Sequence, residues 1–150
     1  MISYMSLEVQ AEADFDRARR RAFFVRIAAR LRRECSRLLA FGEIREGHLA
    51  HNRHRLGLRD VEVSKIVGSV DRYEVFDRGF MPAKASLAER WKRVDRAFHS
   101  GLDLPAVRLY VIGDSYFVED GNHRVSVARY QGVPTIEADV IEFFPLHGAR

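Results

Sequence analysis

The first forty residues carry a pattern of apolar and polar positions that is typical of a helix. Residues 7–41 contain neither proline nor glycine, and alanine, leucine, arginine and glutamate dominate them. Small and apolar residues recur along one stripe, and arginines take much of the remaining surface. The predicted stripe comprises Ala18, Ala22, Val25, Ala29 and Leu31, with Leu38 and Leu39 extending it. The pattern predicts an amphipathic basic helix, as one rod or two shorter pieces, packed on the body by its apolar stripe.

The next segment, residues 42–60, has no clear period and is predicted to be a linker or irregular cover. Its three histidines, His48, His51 and His54, are spaced every third residue. On one helical turn this spacing could direct ring nitrogens towards a shared metal, but no cysteine or well-placed carboxylate completes the set. Exposed loop histidines are the favoured interpretation. We therefore expect residues 1–60 to form a basic helical arm and linker, and residues 61–150 to form the main domain.

The second part begins with an apolar segment that predicts a strand. Val61, Val63 and Ile66 begin this strand, which ends in a turn at Gly68, and residues 69–85 are predicted to be mostly loop.

A helix is predicted to follow this loop. Ser86 and Glu89 form a capping-box pattern at its start, and Gly101 ends it. The apolar positions that would form its buried face are Leu87, Trp91, Val94 and Phe98. This helical spacing favours core packing of Trp91 over a role in stacking on a base.

Alternating positions then predict three more strands and a short helix. Strands at 107–112 and 115–119 are joined by the hairpin signal Gly113-Asp114. A helix over 123–131 follows, and alternation from Ile136 onwards predicts the final strand. The chain therefore predicts an α+β fold, a small mixed β-sheet with packed helices, together with the N-terminal helical arm.

Composition narrows the class of protein. The chain has 150 residues, of which 47% are apolar, enough for one domain with a real core. A single cysteine, Cys35, excludes an internal disulfide framework and a cysteine-based zinc cluster. The first ten residues carry no basic side chain and no apolar run approaches about 18 residues, so neither a signal peptide nor a membrane span is expected. We expect a cytoplasmic location.

Charge is distributed unevenly along the chain. The formal net charge is +4, but residues 1–60 have a net charge of +5 and residues 61–150 have a net charge of −1. The excess belongs to arginines between Arg17 and Arg37. Such a face could contact DNA phosphates, or it could simply be the solvated side of a packed helix.

The segment from Tyr116 to Arg129 carries the candidate chemistry. A strand leads into a tight turn at Gly121, and a helix begins at once with His123 and Arg124 in its first turn. The unpaired backbone N–H groups and the positive end of the helix dipole favour an anion there, most naturally a phosphate.

Two acidic residues precede this turn. Glu119 and Asp120 would suit Mg²⁺ bound to phosphate, or general-base work on a hydroxyl, and His123 could move a proton. The structural alternative is that Asp120 or Asn122 caps the helix, Arg124 pairs with a carboxylate and His123 is packed.

Residues 61–143 resemble the ParB/sulfiredoxin superfamily. The similarity comprises the opening strand Val-Glu-Val-Ser-Lys-Ile, the helix from Ser86, the phrase Leu-Pro-Ala-Val-Arg-Leu-Tyr at 104–110, the Gly-Asp hairpin and Asp-Gly-Asn-His-Arg-Val-Ser-Val-Ala at 120–128. The resemblance implies a pocket for a nucleoside triphosphate, ATP or CTP with Mg²⁺, at the turn formed by Gly121, Asn122, His123 and Arg124.

The resemblance also implies two contacts outside the turn. Lys84, in Pro82-Ala83-Lys84, matches a lysine that contacts the nucleotide in sulfiredoxins. Arg72 lies in the loop that the resemblance places at the pocket mouth, where a phosphate contact and a surface ion pair are both open. Sulfiredoxins carry Gly-Cys-His-Arg at the turn, whereas this chain has Asn122, so their thiol chemistry is not expected.

Members of the superfamily differ in function, and two functions stay open. Archaeal free serine kinases use an Asp-Gly-x-His-Arg turn, which favours an NTPase or phosphotransferase with Glu119 or Asp120 as base or magnesium ligand and His123 as a third catalytic candidate. ParB partition proteins bind CTP at the equivalent turn, which favours a DNA-associated regulatory or chromosome-partition accessory protein. Its basic N-terminal helix would contact DNA, and the body could serve as an oligomerisation module.

Overall fold

The computed structural model describes residues 4–146, which form four α-helices and a six-stranded mixed sheet. The helices are α1 (Tyr4–Arg32), α2 (Phe41–Gly47), α3 (Ala88–His99) and α4 (Asn122–Tyr130). The strands are β1 (Leu39–Ala40), β2 (Asn52–Glu62), β3 (Ile66–Ser69), β4 (Val107–Ile112), β5 (Ser115–Asp120) and β6 (Thr135–Phe144). The predicted α+β class is confirmed.

The strands lie in the order β1-β3-β5-β4-β6-β2. Neighbours β1 and β3, β3 and β5, and β4 and β6 are parallel, whereas β4 pairs with β5, and β2 with β6, in the antiparallel direction. The hairpin predicted at Gly113-Asp114 joins β4 to β5, and Gly113 has a φ of 60°. The sheet therefore brings the carboxyl end of β5, where the candidate turn begins, next to the start of β4.

Alternation along the central strands gives the sheet two apolar faces. Leu109 and Val111 of β4 belong to the larger core, with α1, α3 and α4, while Tyr110 and Ile112 pack in the smaller core with Phe41 of α2. In β5 and β6 as well, residues on one face belong to the larger core and residues on the other face belong to the smaller core. Each face of the central sheet is thus covered by helix.

Trp91 lies at the centre of the larger core and has no exposed surface. Its indole N–H donates to the hydroxyl of Ser126, 2.8 Å away, and that hydroxyl donates to the carbonyl of Phe80. Phe15 of α1 and Tyr130 of α4 pack against the indole ring. Core packing of Trp91, as the helical spacing predicted, is confirmed.

The N-terminal helix is shorter than predicted and ends at Arg32. Arg33 adopts a φ of 56°, and the N–H of Glu34 donates to the carbonyl of Ala29, a left-handed C-terminal cap. The buried stripe comprises Ala11, Phe15, Ala18, Ala22 and Ala29. Leu31 is 82% exposed, so its predicted place in the stripe is wrong. None of the helices in the described range has the length and apolar character to cross a bilayer.

The segment predicted to be a linker, residues 42–60, contains regular structure, and that prediction is wrong. Most of α2 and most of β2 fall within it, and β2 pairs with β6 along its whole length, with a bulge at Leu56, between Arg55 and Gly57. The boundary predicted after residue 60 falls inside β2. His48 caps α2 whereas His54 lies in β2, so the histidines do not share one helical turn.

The strand predicted at 61–68 is divided in two. β2 ends at Glu62, a 3₁₀ turn spans Val63–Lys65, and β3 continues from Ile66. The Val63 N–H still donates to the carbonyl of Pro134, just before β6. After the 3₁₀ turn the chain continues as β3, which lies on the other side of β4 and β5 in the sheet.

The capping box predicted at Ser86 is not formed. A 3₁₀ turn over Ala85–Leu87 precedes α3, and neither helix start is capped by a side-chain hydrogen bond. The other predicted elements of this half begin within about one residue of their expected positions, including the final strand, which starts at Thr135.

Candidate functional site

The turn between β5 and α4 has the backbone geometry of an anion site. Gly121 has a φ of +109°, and the first hydrogen bond of α4 runs from the Val125 N–H to the Gly121 carbonyl. The N–H groups of residues 122–124 therefore lie ahead of the helical ladder, at the positive end of the helix dipole. A Cβ at residue 121 would lie 2.6 Å from Cγ1 of Val107, so both the dihedral angle and the space require glycine.

A cavity of about 590 Å³ opens at this turn. It lies between α3, the turn itself, the loop after β3 and the segment before β4. Its charged lining comprises the cationic Arg72, Arg90, Arg93 and Arg124 and the acidic Asp71, Glu119 and Asp120. The structure thus brings together the four residues of the predicted turn, the two predicted carboxylates and Arg72.

His123 is mostly buried in the wall of this cavity. Its Nδ1 atom has no hydrogen-bond partner among the described residues, and the Phe76 ring packs edge to face against the imidazole, at a centroid distance of 5.3 Å. Burial, together with the charges of Arg90 and Arg72, lowers the pKa of His123 to about 4. The imidazole is therefore neutral at pH 7 and can donate one hydrogen bond without carrying charge.

The side chain of Arg124 connects the turn to the segment before β4. Its Nη1 donates to the carbonyls of Pro105 (2.6 Å) and Ala106 (3.0 Å), and its Nη2 donates to Oδ2 of Asp120 (3.1 Å). The guanidinium therefore holds the segment before β4 and the carboxylate of Asp120 in place. The ion pair between Arg124 and a carboxylate, which the structural alternative predicted, is present.

The side chain of Asn122 is held by a contact with Ser69, at the end of β3. The Ser69 hydroxyl donates to Oδ1 of Asn122 at 2.8 Å and accepts from the backbone N–H of Arg72 at 3.1 Å. This arrangement fixes the loop that carries Arg72 against the first turn of α4. The side chain of Asn122 thus has a structural role, since it holds the loop after β3. Its backbone N–H is the group that is free to bind an anion at the start of α4.

The two predicted carboxylates have different surroundings. Glu119 lies 3.5 Å from Nε of Arg108, and its buried Oε2 accepts no hydrogen bond within the described range. Asp120 is exposed and paired with Arg124. The buried Oε2 of Glu119 is the atom that faces Arg108, so each carboxylate is paired with an arginine. Carboxylate oxygens are ligands that Mg²⁺ accepts, so these two residues could hold the ion beside a phosphate.

Lys84 lies apart from this group. It is exposed and lines a second cavity, of about 570 Å³, between α1 and the loop after β3. Phe76 separates the two sites, since its ring contacts His123 and also lines the second cavity. The structure does not bring Lys84 into the lining of the cavity at Gly121.

Arg90 and Arg93 of α3 were missed from the sequence, although both are exposed and both line the cavity. The available signal was their position beside the buried stripe of Trp91 and Val94. That pattern predicts a polar flank, but it does not reveal that this flank faces the start of α4.

Comparison with known proteins gives limited similarity. No family model matches the chain, and no curated protein matches it. Among solved structures, the crystal structure of sulfiredoxin from Arabidopsis thaliana is similar, with 20% sequence identity and a TM-score of 0.38 over 55% of this chain and 82% of that one.

Proposed function

We propose that this protein binds a nucleoside triphosphate, ATP or CTP with Mg²⁺, in the cavity at the start of α4. The observation that carries the proposal is the convergence of four arginines and the leading N–H groups of α4 on one cavity. Planar guanidinium groups and helix N-termini are the protein groups best suited to phosphate oxygens. The volume of about 590 Å³ suits a ligand of nucleotide size.

Each group in the cavity has a distinct role in this proposal. The backbone N–H groups of residues 122–124 donate to the phosphate nearest the helix. Arg90 and Arg93 neutralise the phosphates from α3, and Arg72 does so from the opposite loop. The neutral imidazole of His123 lies in the cavity wall and can donate one hydrogen bond. Arg124 keeps the turn in the geometry that aims the backbone donors.

The acidic residues support the metal in this proposal. Glu119 and Asp120 would hold Mg²⁺ against the phosphates, and the ion would neutralise charge on the oxygens it contacts. Without a cation, both carboxylates would repel a triphosphate. The same carboxylates are the candidate bases for an attacking hydroxyl or water, so hydrolysis or phosphoryl transfer is the reaction class that the site would support.

Calorimetric titration with ATP, CTP and GTP in the presence of Mg²⁺ tests the proposal. Arg90→Ala should weaken binding about ten- to hundredfold, because it removes a charge-assisted hydrogen bond. Arg53→Ala, an exposed arginine of β2 far from the cavity, is the matched control and should bind like the wild type. Absence of binding by the wild type to all three nucleotides would refute the proposal.

A second candidate function, DNA association, is favoured by the second cavity. The cationic side chains in its described lining are Arg19, Arg26, Arg30, Arg37 and Lys84. Phe23 is 48% exposed beside them, and the Arg26 guanidinium lies 5.8 Å from its ring. Three acidic residues, Glu34, Glu74 and Asp77, also line the cavity, so its described lining has five cationic and three acidic residues. A groove with this excess of positive charge and an exposed aromatic ring suits a polyanion.

Salt dependence tests this second candidate. If α1 contacts DNA phosphates, retention of duplex DNA should fall steeply with salt, and Arg26→Ala with Arg30→Ala should make the slope shallower by about two counterions. Arg90→Ala should leave the slope unchanged. Failure to retain DNA at low salt would remove this candidate and leave the nucleotide proposal untouched.

A further inference from the structure

A buried polar cluster lies where α1, α3 and the end of α4 meet, on the opposite end of α4 from the nucleotide cavity. Asp14 comes from α1, Asp95 and His99 lie one turn apart on α3, and Gln131 follows α4. Nε2 of His99 lies 3.1 Å from Oδ2 of Asp14 and 3.6 Å from Oδ2 of Asp95. One ligand atom from each of these three residues lies within 4.8 Å of the others.

Asp95 is buried without a full set of partners. The residue has no exposed surface, and its Oδ1 accepts from the Gln131 amide at 2.9 Å. Its Oδ2 accepts no hydrogen bond within the described chain and is directed at His99. Burial and the adjacent Asp14 raise the pKa of Asp95 to about 7, although the Gln131 amide and His99 oppose the shift.

Two nitrogen atoms of the cluster, one from His99 and one from Gln131, lie within hydrogen-bond distance of each other. Nε2 of His99 lies 3.1 Å from a carboxylate oxygen of Asp14 and 3.1 Å from Nε2 of Gln131. A single ring nitrogen that donates to the carboxylate cannot also accept from the amide. The two N–H groups of the Gln131 amide face Asp14 and Asp95, so the contact between Nε2 of His99 and Nε2 of Gln131 is left without a hydrogen bond. A cation at the centre would be bound by both carboxylates and the imidazole together.

We propose that Asp14, Asp95 and His99 bind a divalent transition-metal ion of the Zn²⁺ type. Gln131 would become a fourth ligand when its amide turns over, so that the oxygen replaces Nε2, the atom that faces the two carboxylates in this structure. Oxygen and nitrogen ligands about 2.0–2.1 Å from a tetrahedral Zn²⁺ lie about 3.3–3.4 Å from one another, close to the separations between His99 and the two carboxylates. Imidazole with carboxylates is a donor set that suits Zn²⁺. Two carboxylates balance the charge of the ion.

Such an ion would fasten α1 to the body of the protein. One ligand comes from α1 and the others come from α3 and the end of α4, so binding energy would oppose separation of α1. The side chain of His99 is 19% exposed, which gives the ion a path from solvent. The site is built from other residues than the nucleotide cavity and does not depend on it.

Spectroscopic titration of the chelator-treated full chain with Co²⁺ tests the site. We expect one ion per chain with the visible absorption bands of a four-coordinate centre, and displacement of Co²⁺ by Zn²⁺. His99→Gln should abolish these bands, while His51→Gln, at an exposed histidine, should retain them. Bands that survive His99→Gln, or that disappear with His51→Gln, would overturn the proposal.

Gln131→Glu gives a second test that does not depend on whether the His99 variant folds. Without metal, a third buried carboxylate should lower the melting temperature relative to the wild type. With Zn²⁺, the added ligand charge should produce a larger rise in melting temperature than in the wild type. If Zn²⁺ leaves the melting temperature of both proteins unchanged, the cluster binds no metal.

Discussion

Gly121 fixes the geometry on which the candidate phosphate site depends. Its left-handed φ turns the chain from β5 into α4 within one residue, and its missing side chain lets Val107 pack directly against the backbone. A residue with a Cβ would have to move the turn or β4. The same turn aims the first N–H groups of α4 at the cavity, so stability and binding are linked at this position.

Gly121→Ala should therefore destabilise the protein and weaken nucleotide binding together. Strained backbone and contact with Val107 should reduce the free energy of unfolding by about 2 kcal/mol or more, as measured by urea denaturation. Gly42→Ala is the matched control, because a Cβ at residue 42 meets no atom within 4 Å and the backbone there has no left-handed φ. Equal stability of the two variants would contradict the strain argument.

His123 makes the stability of the fold sensitive to acid. Its pKa is about 4 in the folded chain and about 6.5 when exposed, so between these values the unfolded chain holds more protons. The contribution of this residue should fall as the pH drops from 6.5 to 4. Urea denaturation across this range should show a weaker pH dependence for His123→Gln than for the wild type.

The titration of His123 also reports on the ligand. A bound phosphate would offset the charges of Arg90 and Arg72, and the pKa of the imidazole should rise. NMR of the ring protons with and without nucleotide measures this shift. Titration of the ligand-free imidazole near 6.5 would show that the ring is neither desolvated nor affected by these arginines.

At the scale of elements, α1 is attached to the body by apolar and polar contacts. Phe15 packs against Trp91, and Asp14 accepts from Tyr130, Gln131 and His99. Burial would raise the pKa of Asp14, but hydrogen bonds from Asp95 and His99 outweigh it and lower the pKa. The helix–helix junction thus contains a carboxylate pair in which Asp95 holds the proton.

Asp95→Asn should change the pH dependence of stability in metal-free protein. The folded pKa of Asp95 is about 7, above the value of 3.8 for an exposed group, so its stabilising effect is present at low pH and is lost as the pH rises through 7. Asparagine resembles the protonated carboxyl and does not titrate. In urea denaturation with chelator, the variant should gain stability relative to the wild type as the pH rises from about 4 to about 7. A constant difference across this range would contradict this assignment.

At the scale of the whole molecule, residues 1–60 supply both edges of the sheet. β1 pairs with β3 at one edge and β2 pairs with β6 at the other, while α1 covers the core around Trp91. The central strands alone would expose apolar surface and a long unpaired edge.

A fragment of residues 61–150 should therefore fail to fold as a unit. Without β2, β6 loses its antiparallel partner, and without α1 the ring of Trp91 loses the cover of Phe15. Circular dichroism and urea titration of the fragment should show no cooperative transition. A cooperative transition like that of the full chain would show that residues 61–150 form an independent domain, as the sequence suggested.

The sequence by itself determined the helices and strands in which the spacing of apolar residues follows the side of the element that is buried. β4, β5, α4 and most of α3 and β6 were predicted because alternation and helical spacing follow directly from which side chains face the core. The turn at Gly121 was also predicted, since a glycine between a strand and a helix start is a local signal.

Only the tertiary structure decided which residues meet. β2 has an irregular pattern because one of its faces is largely exposed, and its pairing with β6 joins residues about eighty positions apart. The convergence of Arg90 and Arg93 on the α4 turn, the separation of Lys84 from it and the junction of Asp14 with His99 depend on how helices dock. Local propensity does not encode docking, because it arises from long-range packing of apolar surfaces that are distant in the chain.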